Sequence, residues 1–374
     1  MVRGIELIED FLPQVKKIDK SKLERLNPYI EKALESVEGN KDLFKALLAQ
    51  EIVEIGKVLE SSTTTADIDV IAKIVLPAIK KIARDSIVDK IVGVQPVKMK
   101  GASVIYEDIL YGQSTDEVQA GESIYDKVST NYSQGVGEGN PIQRDLKFTL
   151  KEVPLEVKER ALISSWTWEV DELANTLNVD VEKEIGKALA QKVDEEISFE
   201  VIYDIKNNAK GYQATYQAPT SSDTHAQKME KINDLIDKIY EGREVIYDKT
   251  GRYPNWIVIS PRLASLLKRN GVLTVFTPTS ENTMIMQRLY QCGTLEDEIQ
   301  VFSVRGLQGL DVIMGFKGQS EFQTGYIYAP ITMIKIPPTF FDVRTFEFIK
   351  SLKRYYGIAR PRMELYGVIT AQTS

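Results

Sequence analysis

The clearest pattern in the chain is a run of apolar residues four positions apart that starts just after Asp180. It comprises Val181, Ile185, Leu189, Val193, Ile197, Val201 and Ile205. Residues four apart share one face of an α-helix, and Asp180 is a good N-cap residue. The pattern predicts a spine helix of about 28 residues and about 42 Å, long enough to span most of a subunit of this size. The charged residues of its other faces would meet solvent or a neighbour.

A second pattern, which precedes this helix, alternates apolar with polar residues. Leu146, Phe148 and Leu150 alternate with charged and polar positions, which predicts a half-buried strand. The alternation shifts by one residue around Pro154, so we expect a bulge or bend on an edge strand there. A strand-like run at 103–111 and a polar stretch rich in Gly, Ser, Thr, Asn and Gln at 112–143 complete a predicted protruding hairpin with a loose tip.

Helical and strand-like runs alternate in the second half of the chain, between about residues 226 and 316. This order predicts a compact α/β lobe, preceded by a polar loop at 210–224 and followed by further strands up to residue 369. Near the start, apolar residues at helical spacing between Leu43 and Leu59 predict a helical arm. A further helix is predicted after this arm, and we expect Pro77 within it to kink or divide it.

Composition narrows the functional classes. The 374 residues carry a formal net charge of −7, which argues against a dedicated nucleic-acid binder. His225 is the one histidine and is expected at the surface, and Cys292 is the one cysteine and is expected to fill a small apolar space. These counts exclude zinc sites built from cysteine and histidine and fit a reducing site of synthesis. No signal peptide or membrane-spanning stretch is expected.

The sequence contains no clear motif for catalysis or phosphate binding. The glycines at 135–139 lack the lysine and the strand-turn-helix setting of a phosphate loop, and residues 315–318 are interpreted as a turn after a strand. No catalytic, cofactor-binding or metal-ligating residue is predicted. A basic cluster near the end allows two interpretations, a nucleic-acid surface or pairing with acidic surfaces of adjoining copies, and the many carboxylates of the spine helix favour the second. The cluster comprises Lys350, Lys353, Arg354, Arg360 and Arg362.

Five separated stretches together resemble one family in the same order. They are residues 93–96 (Gly-Val-Gln-Pro), 158–161 with 168–173 (Lys-Glu-Arg-Ala and Trp-Glu-Val-Asp-Glu-Leu), 255–261 (Asn-Trp-Ile-Val-Ile-Ser-Pro), 315–320 (Gly-Phe-Lys-Gly-Gln-Ser) and 353–357 (Lys-Arg-Tyr-Tyr-Gly). The family is the T-even-type major capsid protein of tailed phages. The resemblance implies an α+β, HK97-like fold. It would consist of an N-terminal arm (1–66), a P-domain (67–104, 150–225 and 320–374), an E-loop hairpin (105–149) and an α/β A-domain (226–319).

The resemblance also implies a function. The chain would be a structural subunit, not an enzyme, that self-assembles as hexamers and pentamers into an icosahedral head enclosing double-stranded DNA. Scaffold, portal and auxiliary head proteins would be its other partners, with assembly in the host cytoplasm and no membrane association. An encapsulin-like compartment shell is the alternative within the same fold. From a different class, an α/β enzyme using carboxylates would differ by running as a small oligomer.

Overall fold

A computed structural model describes residues 87–97, 103–127, 129–133, 144–177, 179–220, 222–269, 273–274, 291–295, 299–307, 309–320, 322–335 and 339–372. The arm predicted at 1–66, the helix around Pro77 and the glycines at 135–139 lie outside these residues. The helices are α1 (Val88–Ile91), α2 (Trp168–Thr176), α3 (Val181–Asn208), α4 (His225–Thr250) and α5 (Pro261–Arg269). Helices and several β-sheets coexist in the described residues, which confirms the predicted α+β class.

The strands of the described residues fall into three sheets. In chain order they are β1 (Gly93–Val94), β2 (Ser103–Tyr111), β3 (Leu146–Pro154), β4 (Glu156–Thr167), β5 (Tyr212–Gln217), β6 (Trp256–Ile259), β7 (Leu273–Thr274), β8 (Gln291–Leu295), β9 (Ile299–Ser303), β10 (Val312–Gly315), β11 (Ile327–Lys335), β12 (Phe340–Asp342), β13 (Glu347–Ala359) and β14 (Tyr366–Gln372).

Helix α3 is the predicted spine. It starts where expected, because the Asp180 side chain accepts a hydrogen bond from the Lys183 backbone N–H at 3.0 Å. The central members of its apolar series are buried: Leu189, Val193, Ile197, Val201 and Ile205. They form one core with residues of two sheets, among them Trp256 of β6 and Leu352 of β13. The helix therefore ties the two sheets together.

The first sheet is built around the long strand β13. Its order is β1-β11-β13-β12, and β4 pairs with β13 antiparallel in an unbroken register from Glu347↔Thr167 to Ile358↔Glu156. Side chains alternate across this sheet, so that the even-numbered residues of β13 from Lys350 to Tyr356 are buried beneath α3. Within the described residues β4 is an edge strand, and the break at Leu155 between β3 and β4 matches the predicted irregularity near Pro154.

The second sheet forms the predicted α/β lobe. Its seven strands follow the order β5-β14-β10-β6-β9-β8-β7. Helix α4 packs on this sheet through apolar side chains that include Ile232, Leu235 and Ile239. A capping box between Thr224 and Gln227 starts this helix, which ends before a left-handed glycine. The interpretation of 210–224 as a polar loop was wrong for β5, whose backbone pairs in parallel with the chain-terminal strand β14.

The third sheet is the predicted hairpin of β2 and β3, which pair antiparallel from Ser103↔Pro154 to Tyr111↔Leu146. The polar stretch between the two strands was expected to be a loose tip, but its described part is folded. Within its described part, the Tyr111 N–H donates to the Glu122 carbonyl at 2.9 Å, and Val118 is buried. Residues 112–127 thus fold back along the hairpin, so the expectation of a wholly loose tip was wrong for this part.

Candidate assembly surfaces

A ladder of ion pairs joins the spine helix to the basic residues of the first sheet. Lys350 pairs with Glu182, the Arg354 guanidinium lies 2.9 Å from the Asp194 carboxylate, and Arg360 contacts Asp204 at 2.6 and 2.8 Å. The helix segment and the strand segment that carry these pairs are equal in length. At about 1.5 Å per helical residue and about 3.3 Å per strand residue, Glu182 to Asp204 and Lys350 to Arg360 each span about 33 Å.

This ladder corrects the sequence-based interpretation of the basic cluster. Its cations were expected to pair with adjoining copies, but they pair within the same chain. Lys353 lies 3.0 Å from Glu159 of the neighbouring strand β4, and Arg362 pairs with Asp108 of the hairpin. Because each of the five cations has a carboxylate partner within its own chain, the cluster is not an open surface for phosphates. The ladder instead sets the position of the helix on the sheet.

Glu200 of α3 contacts three polar side chains of the first sheet. Lys158 and Arg160 of β4 approach it to 2.8 and 2.6 Å, and the Tyr356 hydroxyl donates to it. Burial by itself would raise the pKa of Glu200, but hydrogen bonds from Lys158, Tyr356 and Arg160 outweigh burial and lower the pKa to about 2. Burial and the adjacent carboxylate raise the pKa of Tyr356 to about 12. This contact is charged at neutral pH and internally compensated.

One face of the hairpin is apolar and open. Leu146, Phe148 and Leu150 of β3, here called the apolar row, are 53%, 63% and 52% exposed. The sequence predicted that the apolar side of this strand is buried, but each of the three apolar residues is more than half exposed. A contiguous row of large exposed apolar side chains on a soluble protein marks an interaction surface.

A second apolar surface lies where β4, α2, β12 and β13 meet. Rings of Trp168, Phe341 and Phe348 lie within 6 Å of one another, with centroid distances of 4.9 to 5.9 Å. The Phe346 ring lies 6.3 Å from Phe341, and Trp168 and Phe346 are the exposed members of this cluster. The residues Trp168, Phe341, Phe346 and Phe348 are together called the aromatic corner. Phe346 has a positive φ of 57°. A bulky residue in the left-handed region is strained, and such strain clusters at functional sites.

The other residues singled out from the sequence have ordinary settings. His225 is exposed at the first position of α4, as predicted. Cys292 of β8 is half-buried and packs against the core of the lobe. Lys317 donates to the Asp89 backbone carbonyl, which agrees with a turn and not with a nucleotide site. The described residues contain no group of three or more side chains arranged to hold a metal ion.

Sequence reasoning missed the two features that organise these surfaces. Although two tryptophans stood out in the sequence, nothing indicated that Trp168 would meet Phe341 and Phe346 from a distant segment. The contact of Asp108 with Arg362 joins residues 254 positions apart and has no local signal. None of the described helices is long and apolar enough to span a membrane.

Comparison with protein families identifies one family. The model of the family described as major capsid protein Gp23 matches residues 133–372, well over half of the chain. Among solved structures, the chain is similar to one from Mycobacterium phage Bobi, with 11% identity and a TM-score of 0.47 over 77% of this chain and 91% of that one.

Two further similar structures are a capsid of an empty GTA particle (11% identity, TM-score 0.45, covering 77% of this chain and 90% of that one) and the capsid of Myoviridae phage XM1 (11%, 0.40, 75% and 90%). A comparison with curated protein sequences found no match.

Proposed function

Because the chain belongs to the family of the major capsid protein Gp23 and is therefore a subunit of a phage head shell, we propose that it assembles as hexamers and pentamers through its apolar row and aromatic corner. The observation that supports this mechanism most strongly is the exposure of Leu146, Phe148 and Leu150. In the part of the chain that the structure describes, about half of each of these residues faces water, and an adjoining copy would cover it.

The free energy gained by burying the apolar row is small for each contact, as a shell of many subunits requires. Each of the three side chains is about half exposed, and burying the remainder would contribute about 1 kcal/mol per side chain. The row would therefore contribute about 3 kcal/mol per hairpin, or about a hundredfold in the association constant. Contacts of this strength are individually weak, and their repetition over many subunits would make a closed shell stable.

The electrostatics favour a shell that encloses DNA without gripping it. The net charge is −7, and the cluster from Lys350 to Arg362 is compensated by carboxylates of its own chain. Nucleic-acid binding depends on uncompensated cations facing phosphates. We therefore expect no sequence-specific DNA contact. Scaffold, portal and auxiliary head proteins would be further partners, with assembly in the host cytoplasm.

The domain division is part of the same proposal. The hairpin at 105–149 would be the E-loop, the spine and first sheet would form the P-domain, and 226–319 would be the A-domain. The final strand β14 lies in the seven-stranded sheet beside β10 and β5, so it joins the lobe to the segment that returns from β13. The encapsulin-like alternative has no support from the family match.

The first prediction tests the apolar row. Replacing Leu146, Phe148 and Leu150 together by serine should leave a folded subunit, because these side chains contribute little to the core of their own chain. The protein concentration needed for shell assembly, followed by light scattering and electron microscopy, should rise about a hundredfold. The control is Lys147→Ser, an exposed position on the other face of β3. Shells formed by the triple variant at the normal concentration would refute the proposal.

A further inference from the structure

Two arginines and two tyrosines stack alternately where the hairpin meets the rest of the described chain, here called the body. The Arg252 guanidinium lies 4.1 Å from the ring centre of Tyr125, and the Arg362 guanidinium lies 4.6 Å from the centre of the same ring. Arg362 also lies 5.4 Å from the Tyr106 ring. Tyr106 belongs to β2 and Tyr125 to the loop that follows it, whereas both arginines belong to the body. The stack therefore fastens the hairpin to the rest of the chain.

One buried carboxylate reinforces the stack. Asp108 of β2 is 1% exposed. Lys151 of β3 approaches it to 2.6 Å, the Ser123 hydroxyl donates to it at 2.5 Å, and Arg362 pairs with it. A single side chain thus joins both strands, the loop and the body. Asp108, Arg362, Tyr106, Tyr125 and Arg252 are together called the latch.

The residues of the latch that belong to β2 lie on one face of the hairpin, opposite the apolar row. Tyr106 pairs with Lys151 and Asp108 pairs with Thr149, so these four side chains lie on one face of the two-stranded sheet. Leu146, Phe148 and Leu150 occupy alternate positions and lie on the opposite face. Because the first face is held against the body, the apolar row is turned away from the body and stays exposed.

We propose that Asp108 and Arg362 are positioning residues for assembly, which hold the apolar row at one orientation before a neighbouring copy arrives. This inference rests on the proposed function, in which the row docks on an adjoining subunit. A hairpin that moved freely would lose conformational entropy on docking, and that loss would weaken each contact. A latched hairpin has lost this freedom during folding. The latch therefore lowers the concentration at which shells form without contributing any contact to the neighbour.

The test uses the full-length, unassembled protein and the variant Asp108→Asn, which keeps the size of the side chain and removes its charge. We expect amide hydrogen exchange in β2 and β3 to accelerate about tenfold, while exchange in α3 stays unchanged. The concentration required for assembly should rise about tenfold. Tyr125→Ala, which breaks the stack and leaves the Asp108 pairs in place, should shift both readouts in the same direction.

The matched control is Asp116→Asn. Asp116 lies in the loop that follows β2, is exposed and makes no ion pair among the described residues. It should leave both readouts at the wild-type level. Unchanged hairpin exchange in Asp108→Asn and Tyr125→Ala would overturn the latch, as would a loosened hairpin with unchanged assembly. Normal assembly of the serine variant of the apolar row would instead contradict the proposed function, so the two failures are distinguishable.

Discussion

At the residue scale, the strained Phe346 connects backbone geometry with the exposed aromatic corner. Its φ of 57° places a bulky side chain in a region that costs about 1–2 kcal/mol for residues other than glycine. The ring is 63% exposed, so its burial in a single copy does not offset that cost. Strain that a subunit retains without benefit to its own fold is understandable when a neighbouring copy covers the ring.

The prediction at this scale concerns Phe346→Asn. Asparagine adopts the left-handed region more readily, so the free energy of unfolding of the unassembled subunit should rise by about 1 kcal/mol, measured by denaturant titration. Shell assembly should become weaker, because an apolar ring is lost. Phe340→Asn is the matched control, since Phe340 is exposed to a similar degree but lies in an ordinary strand. Should Phe346→Asn be no more stable than wild type, the strain argument fails.

At the element scale, local patterns predicted some elements well and others poorly. The apolar series and the Asp180 cap gave α3 its observed start, and its observed end agrees with the predicted length of about 28 residues. The strand β5 was missed because its alternating side chains are largely polar, and its identity depends on pairing with β14. Register between β13 and β4, and the latch between Asp108 and Arg362, are long-range contacts that no local pattern encodes.

The contact between α3 and the first sheet gives a prediction with a defined pH dependence. A lowering of the pKa of Glu200 from 4.5 to about 2 corresponds to about 3 kcal/mol, which we reduce to about 2 kcal/mol because its cationic partners are partly exposed. This stabilisation is present above pH 4.5 and is lost as the pH falls towards about 2. Glu200→Gln should therefore lower the free energy of unfolding by about 2 kcal/mol at neutral pH.

Thermal unfolding of Glu200→Gln between pH 4.5 and 2 should also depend less on pH than unfolding of the wild type. The pKa of Tyr356, followed by ultraviolet absorbance, should fall because the adjacent carboxylate that raises it is gone. The control is Glu195→Gln on the same helix, whose ion pair with Lys192 is exposed and should contribute less than about 0.5 kcal/mol. Equal pH dependence in wild type and Glu200→Gln would rule out this role for Glu200.

At the scale of the whole molecule, charge and apolar surface are distributed differently. Cations and carboxylates pair within the chain along α3, β4 and β13, whereas the apolar row and the aromatic corner have exposed members. The family match over residues 133–372 identifies a shell subunit and confirms the resemblance seen in the sequence motifs. Ion pairs therefore stabilise the single copy, and we propose that apolar contacts between copies form the shell.

The most direct test is sedimentation of the purified full-length chain over a wide range of concentrations, with electron microscopy of each fraction. We expect subunits below a threshold concentration and closed shells with fivefold and sixfold clusters above it. A protein that stays monomeric at high concentration, with Leu146, Phe148 and Leu150 still accessible to solvent, would contradict this expectation.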